Sequence, residues 1–242
     1  MPDFYAHQVF GAQVFSALPE PVRRALEPQW PGWLCGLYGP DPLFFYHLPK
    51  SSPVSREGHD LHRQAPALVL ERYRTEEARA TPCALGYAAG FLCHYILDAV
   101  CHPIVNRCSG NSSLKHTLLE GAFDRSLVPS GKVGFPARFS PDSPAYAAAA
   151  LGYDQAGPEE FRQALKRFCQ VSALAARMRH LTPDRDHSRQ EVAELREGME
   201  GAVTRCAGLV CQLLDRLETG APLDFLPTLD FSGRETGLPT PV

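Results

Sequence analysis

The sequence predicts an all-α protein built as one domain. Three observations carry this. Apolar residues recur at three- and four-residue intervals over long stretches. No run shows the two-residue alternation of a strand. Proline and glycine punctuate the chain between periodic stretches, around 19–31, 39–42, 49–53 and 129–144.

The elements follow in order. Residues 4–18 carry Phe4, Val9, Phe10, Val14 and Leu18 close to helical spacing, and Asp3 is a suitable cap. Pro19, Pro21, Pro28 and Pro31 then bracket a short helix over 22–26 and a tight approach to Trp33. Residues 38–46 read as a loop because Gly39, Pro40 and Pro42 oppose helix continuation. A second loop covers 49–53. Helices are expected over 57–77, 82–104 and 112–127. Residues 129–144, rich in Pro, Gly and Ser, read as a loop that could cover a site. Helices over 158–179 and 184–217 complete a helical domain spanning 1–219; the second is highly charged and reads as a solvated scaffold face. Residues 220–242 read as an irregular, partly disordered tail.

Composition narrows the function classes. The chain of 242 residues is 44% apolar, enough for a real core, and its net charge is -3. That balance gives no reason to expect stable nucleic-acid binding. The 8 cysteines contain no Cys-x-x-Cys pair. With no signal peptide before them, they read as free thiols in a reducing, cytoplasmic setting. Residues 83–105 are long and apolar enough to raise the question of a membrane span. They also hold His94, Asp98 and His102, which favours a buried helix of a bundle over a transmembrane segment.

Those three residues are the strongest chemical signal. Four-residue spacing sets His94, Asp98 and His102 in one polar stripe among Leu92, Ile96, Leu97 and Val100. Burying a carboxylate among imidazoles is costly without compensating charge, and a metal ion supplies it. The next helix repeats the spacing with His116, Glu120 and Asp124. Imidazole nitrogen and carboxylate oxygen are zinc ligands, and facing helices build such sites in bundle cores. A hydrogen-bonded polar cluster is the plain alternative, but two matching faces in succession argue against it. Further candidates are His7, Asp41 in Gly39-Pro40-Asp41-Pro42, and His59 or His62. His62 is preferred of the pair because it lies one turn deeper in its expected helix. His47, His180 and His187 read as surface residues, and Cys93 and Cys101 as core thiols.

The order His7, Gly39-Pro40-Asp41, His59 or His62, His94-x-x-x-Asp98, His116-x-x-x-Glu120 resembles the zinc-dependent phospholipase C family, which is related in fold to the single-strand-specific zinc nucleases. The resemblance covers residues 1–128. It implies a multi-helix bundle of that type with three Zn2+ ions in one cleft; for this chain two or three are expected. Carried over, Asp41, one of His59 and His62, His94 and Asp98 would hold one ion. The N-terminal amine, His7 and the second oxygen of Asp98 would hold another, and His116, Glu120 and His102 a third. The sequence departs from the secreted members in offering Met1 or Pro2 where they mature to tryptophan, and in placing His102 sooner after Asp98.

The implied chemistry is hydrolysis of a phosphate ester by zinc-bound hydroxide, with water acidified toward a pKa of about 7. Asp98 would bridge two ions. Asp41 would serve as ligand, general base or both, and Asp124 would orient a ligand histidine. The substrate could be a phospholipid, its headgroup held by Phe44, Phe45 and Tyr46 through cation–π attraction. Base stacking and plain core packing are the other readings of these aromatics. The other functional readings are a zinc nuclease or small-phosphodiester hydrolase, or a non-catalytic helical metal-binding protein.

Overall fold

The computed structural model describes residues 4–128, 138–178 and 189–236. It is all-α: among the described residues the only β pairing is an isolated bridge between Leu229 and Glu235. Helix α1 (Phe4–Ala17) buries Phe10 and Val14. Asp3, its expected cap, lies outside the described residues. The prolines that follow start elements as well as separate them. Pro21 and Pro31 sit in the first turns of α2 (Glu20–Leu26) and α3 (Trp30–Gly36), and Pro42 in the first turn of a 3-10 helix at Asp41–Phe45. The expected loop at 38–46 is therefore partly helical. A first-turn proline forfeits no helical hydrogen bond and brings a suitable φ.

The single helix expected over 57–77 is broken into pieces. The first, α4 (Pro53–Leu61), begins earlier, because Ser52 and Ser55 form a reciprocal capping box. Pro66 forbids continuation, and the chain resumes as α5 (Ala67–Leu70), a 3-10 turn, and α6 (Glu76–Ala80) capped by Thr75.

The central element is α7 (Ala84–Ser109), which runs through Pro103 and five residues past its expected end. It packs against α1, α3, α8 (Ser113–Leu127, capped by Ser112) and α11 (Arg189–Thr219). Its most apolar window would suit a membrane by composition, but 83% of that window is buried within the fold. Helix α9 (Ala145–Ala150) was not expected, since Ala-Tyr-Ala-Ala-Ala-Ala shows no apolar period. Helix α10 (Pro158–Met178) was. Of the expected loop at 129–144, residues 138–144 are irregular and the rest lies outside the described residues.

Helices α3 and α7 cross with their backbones touching. A Cβ on Gly36 would meet the Tyr87 carbonyl at 2.3 Å, and one on Gly90 the Trp33 carbonyl at 2.3 Å. Only glycine permits this approach. The crossing matters for the site, because the chain leaving α3 reaches Gly39 and Asp41 beside His94, one turn along α7 from Gly90.

The segment after α11 is irregular, as its sequence suggests, yet residues 220–236 are not loose. Leu223, Leu226 and Phe231 are buried in the core.

Candidate metal centre

His94 is fully buried, and Asp98, one turn on, nearly so. The Nδ1–H of His94 donates to the Leu37 carbonyl at 3.2 Å. That bond directs Nε2 inward, 3.4 Å from Asp98 Oδ2 and 3.9 Å from Asp41 Oδ1. Burial pushes the His94 imidazole down to about 4, against the pull of Asp98, so the ring is neutral near pH 7 and Nε2 carries a lone pair. Neither His94 Nε2 nor Asp98 Oδ2 has a hydrogen-bond partner. Two buried acceptors facing each other with no donor between them are unfavourable by several kcal/mol in an apolar interior, roughly. A cation between them removes that cost, and the donor set of imidazoles and carboxylates suits zinc.

Two further histidines are held in the same manner. His62 Nδ1 donates to the Gly58 carbonyl at 2.7 Å, and its Nε2 meets Asp41 Oδ1 at 2.9 Å. His102 Nδ1 donates to the Phe231 carbonyl at 2.9 Å, and its Nε2 lies 3.5 Å from Glu120 Oε1. Tying one ring nitrogen to a carbonyl fixes the other toward a ligand. Without metal both rings hold a proton more tightly than a free imidazole does. Burial lowers His62, but the bond to Asp41 and its charge raise it overall. Burial likewise opposes His102, and the charge of Asp98 with the bond to Glu120 lifts it to about 10. Asp98 and Glu120 would be raised by burial. Imidazoles instead hold Asp98 well below the carboxylate range and bring Glu120 down to about 2.

The remaining candidates complete the cluster. His7 is buried, its Nε2 lies 3.3 Å from Asp98 Oδ1, and its ring stacks on His94 at 4.3 Å. His7 Nδ1 has no hydrogen-bond partner. His116 Nε2 meets Glu120 Oε1 at 2.8 Å. Among the described residues, ligand-type atoms thus gather in three groups, each within 4.8 Å: His7, Asp41 and His94; His62, His94 and Asp98; His102, His116 and Glu120. A cavity of about 30 Å³ lies among His7, Asp98, His102 and Glu120, room for one water or ion.

His59 is not brought into any group. It is exposed and stacks on Phe44 at 4.4 Å. Helix α4 ends at Leu61, so His62 turns inward as its cap residue while His59 stays on the outer face. The N-terminal amine, His180 and His187 lie outside the described residues. His47 is exposed. Cys93 is buried with its Sγ 3.7 Å from that of Cys206; Cys101 is buried and borders the cavity. Phe45 is buried against Phe168, Phe44 lies between His59 and His62, and Tyr46 stacks on His47.

Supporting residues come from elsewhere in the chain. Asp124 accepts from the amides of Tyr5 at 3.0 Å and Ala6 at 2.8 Å. It satisfies the first turn of α1 and so sets His7 through the backbone rather than by touching its ring in these bonds. Gly39 has φ +50, and a Cβ there would lie 2.4 Å from the His94 ring. Its carbonyl faces the buried hydroxyls of Tyr87 at 3.3 Å and Tyr153 at 3.1 Å; the two hydroxyls bond each other, so one donates to its neighbour and the other to the carbonyl. Nothing in the pattern around Tyr153 marks that role. Phe231, in the segment read as a tail, was missed as well.

The family model described as zinc dependent phospholipase C matches residues 6–179. No curated protein and no solved structure matches the chain. The matched region holds every clustered side chain from His7 to Glu120 and stops before α11 and Phe231. With most of its length matched and this cluster at its centre, the chain belongs to the zinc-dependent phospholipase C family, and its bundle is of that type.

Proposed function

We propose that the protein is a zinc-dependent phosphoric-ester hydrolase of phospholipase C type, with two or three ions in its cluster. The observation that carries this is the facing pair of buried acceptors, His94 Nε2 and Asp98 Oδ2, without a donor between them. Asp41, His62, His94 and Asp98 would hold one ion. His7, Asp98 and the N-terminal amine would hold a second, and His102, His116 and Glu120 a third. Zinc, when bound, supplies Lewis acidity toward the phosphoryl oxygens and makes water acidic enough to react near neutral pH.

The chain's own groups do the rest. Asp98 offers one oxygen toward His7 and the other toward His94, and so could serve two ions. Asp41 is buried, and Gly39, two residues before it, is fixed by Tyr87 and Tyr153. Asp41 is the group set to orient water, or take its proton, as the water oxygen bonds to phosphorus and the bond from phosphorus to the departing alcohol oxygen breaks. The Nδ1 bonds of His62, His94 and His102 keep the three rings from turning. The eight cysteines, all free thiols, support a reducing, cytoplasmic location.

The test is turnover of a nitrophenyl phosphodiester and of phosphatidylcholine vesicles by zinc-loaded protein, beside Asp41→Asn and Asp98→Asn. Release of alcohol or diacylglycerol, abolished by chelator and reduced at least a hundredfold in both variants, is expected. Full zinc content with no turnover of any phosphate ester would instead assign the metal a structural role.

A further inference from the structure

We propose that residues 229–236, beyond the matched region, form a strap that positions two of the clustered histidines. The inference rests on the reading of His62 and His102 as ligands. One residue touches both. The Phe231 amide donates to the His62 carbonyl at 3.3 Å, and the Phe231 carbonyl accepts from His102 Nδ1 at 2.9 Å. Its ring is buried 4.7 Å from that of His62 and 5.7 Å from that of His94. His94 and His62 take their carbonyl partners from Leu37 and Gly58, inside the matched region. The carbonyl that orients His102 comes from the strap.

The strap is itself tightly built. Tyr95 donates to the Leu229 carbonyl at 3.0 Å. Asp230 Oδ1 accepts from the amides of Ser232 at 2.8 Å and Arg234 at 2.9 Å, closing a tight turn. Gly233 has φ +72 and presses on α7 beside Pro103: a Cβ there would lie 2.8 Å from the Ala99 carbonyl and 3.0 Å from Pro103 Cγ. A side chain at Gly233 therefore lifts the turn, and the Phe231 carbonyl with it. His102 is then free to rotate away from Glu120. Loss of such an orienting bond typically costs about 10–100-fold in metal affinity.

The experiment compares zinc content after dialysis, and zinc affinity by chelator competition, in wild type, Gly233→Val, a chain ending at Thr228 and Tyr95→Phe. Circular dichroism of the zinc-free proteins identifies those that fold. Gly233→Val and the shortened chain should lose one ion or weaken it about 10–100-fold. Tyr95→Phe should move the same way by less. Gly233→Val added to His116→Ala should cost the ion of His102, His116 and Glu120 nothing further, because both substitutions act on it. Wild-type zinc affinity in folded Gly233→Val or in the folded shortened chain overturns the proposal. If neither folds, unchanged affinity in Tyr95→Phe does so. A wild-type protein that binds no zinc would sink the proposed function instead.

Discussion

Replacing Gly39 by alanine puts a methyl group where the His94 imidazole stands. The new Cβ would lie 2.4 Å from His94 Cδ2 and 2.8 Å from Nε2, against an ordinary contact of 3.4 Å or more. The ring must therefore retreat by about 1 Å, twice the roughly 0.5 Å that a working site tolerates. It has little room, since the His7 ring stacks on it, the Phe231 ring lies 5.7 Å away and its Nδ1 is tied to the Leu37 carbonyl. Overpacking of this kind costs roughly 1–3 kcal/mol. The left-handed backbone at φ +50 adds roughly 1–2 kcal/mol for a residue with a Cβ. Stability of the zinc-free protein should thus fall by about 2–5 kcal/mol in urea unfolding. Zinc affinity by chelator competition should fall at least about tenfold, or 1.4 kcal/mol. Gly110→Ala separates the two causes. Gly110 also has a positive φ, +55, but a Cβ there meets nothing within 4 Å, so that variant should pay only the backbone cost and keep its zinc. Wild-type zinc affinity in Gly39→Ala, or an equal loss in Gly110→Ala, would refute the reasoning.

Three further expectations follow from the structure. Gly90→Ala would drive a Cβ into the Trp33 carbonyl at 2.3 Å, where both partners are backbone, and should cost about 3 kcal/mol or more in urea unfolding; wild-type stability would contradict the close crossing. Zinc binding at pH 7 should release at least one proton per chain, because His102, raised to about 10, is protonated there and must become neutral to ligate. Calorimetry in buffers of different ionisation heat counts that proton, and binding without release would contradict the assignment of His102. The sign for the zinc-free protein is distinct. The raised His102 stabilises fully below its ordinary 6.5, and this is lost as pH rises through about 10. The lowered Glu120 stabilises above its ordinary 4.5, and this is lost as pH falls through about 2. Zinc-free stability from these two groups should therefore peak between about 4.5 and 6.5.

The parts of the site that the sequence makes legible are those that helical periodicity arranges. His94, Asp98 and His102 share a face of α7, and His116 and Glu120 a face of α8, whatever the tertiary fold does. The choice between His59 and His62 depended on where α4 stops, which is set by Pro66 downstream and by a chain end that turns His62 inward. The break at Pro66 was itself concealed by the apolar residues continuing on both sides of it. Helix α9 has no polar face to give a period, and is held by packing against α3, α7 and α10. Phe231 was beyond sequence reasoning for a different cause: it acts through its amide and carbonyl, which every residue possesses. Tyr87 and Tyr153 act through hydroxyls on a carbonyl far away in sequence, and only the α3–α7 crossing makes Gly39 their meeting point.

The most direct measurement is elemental analysis of metal per chain by mass spectrometry, on wild type beside His94→Ala and His116→Ala. Two or three zinc ions in wild type are expected, with a clear loss in each variant, since the two histidines belong to different groups of the cluster. Protein purified without chelator that holds no metal, and takes up none when zinc is added, would contradict the account at its centre.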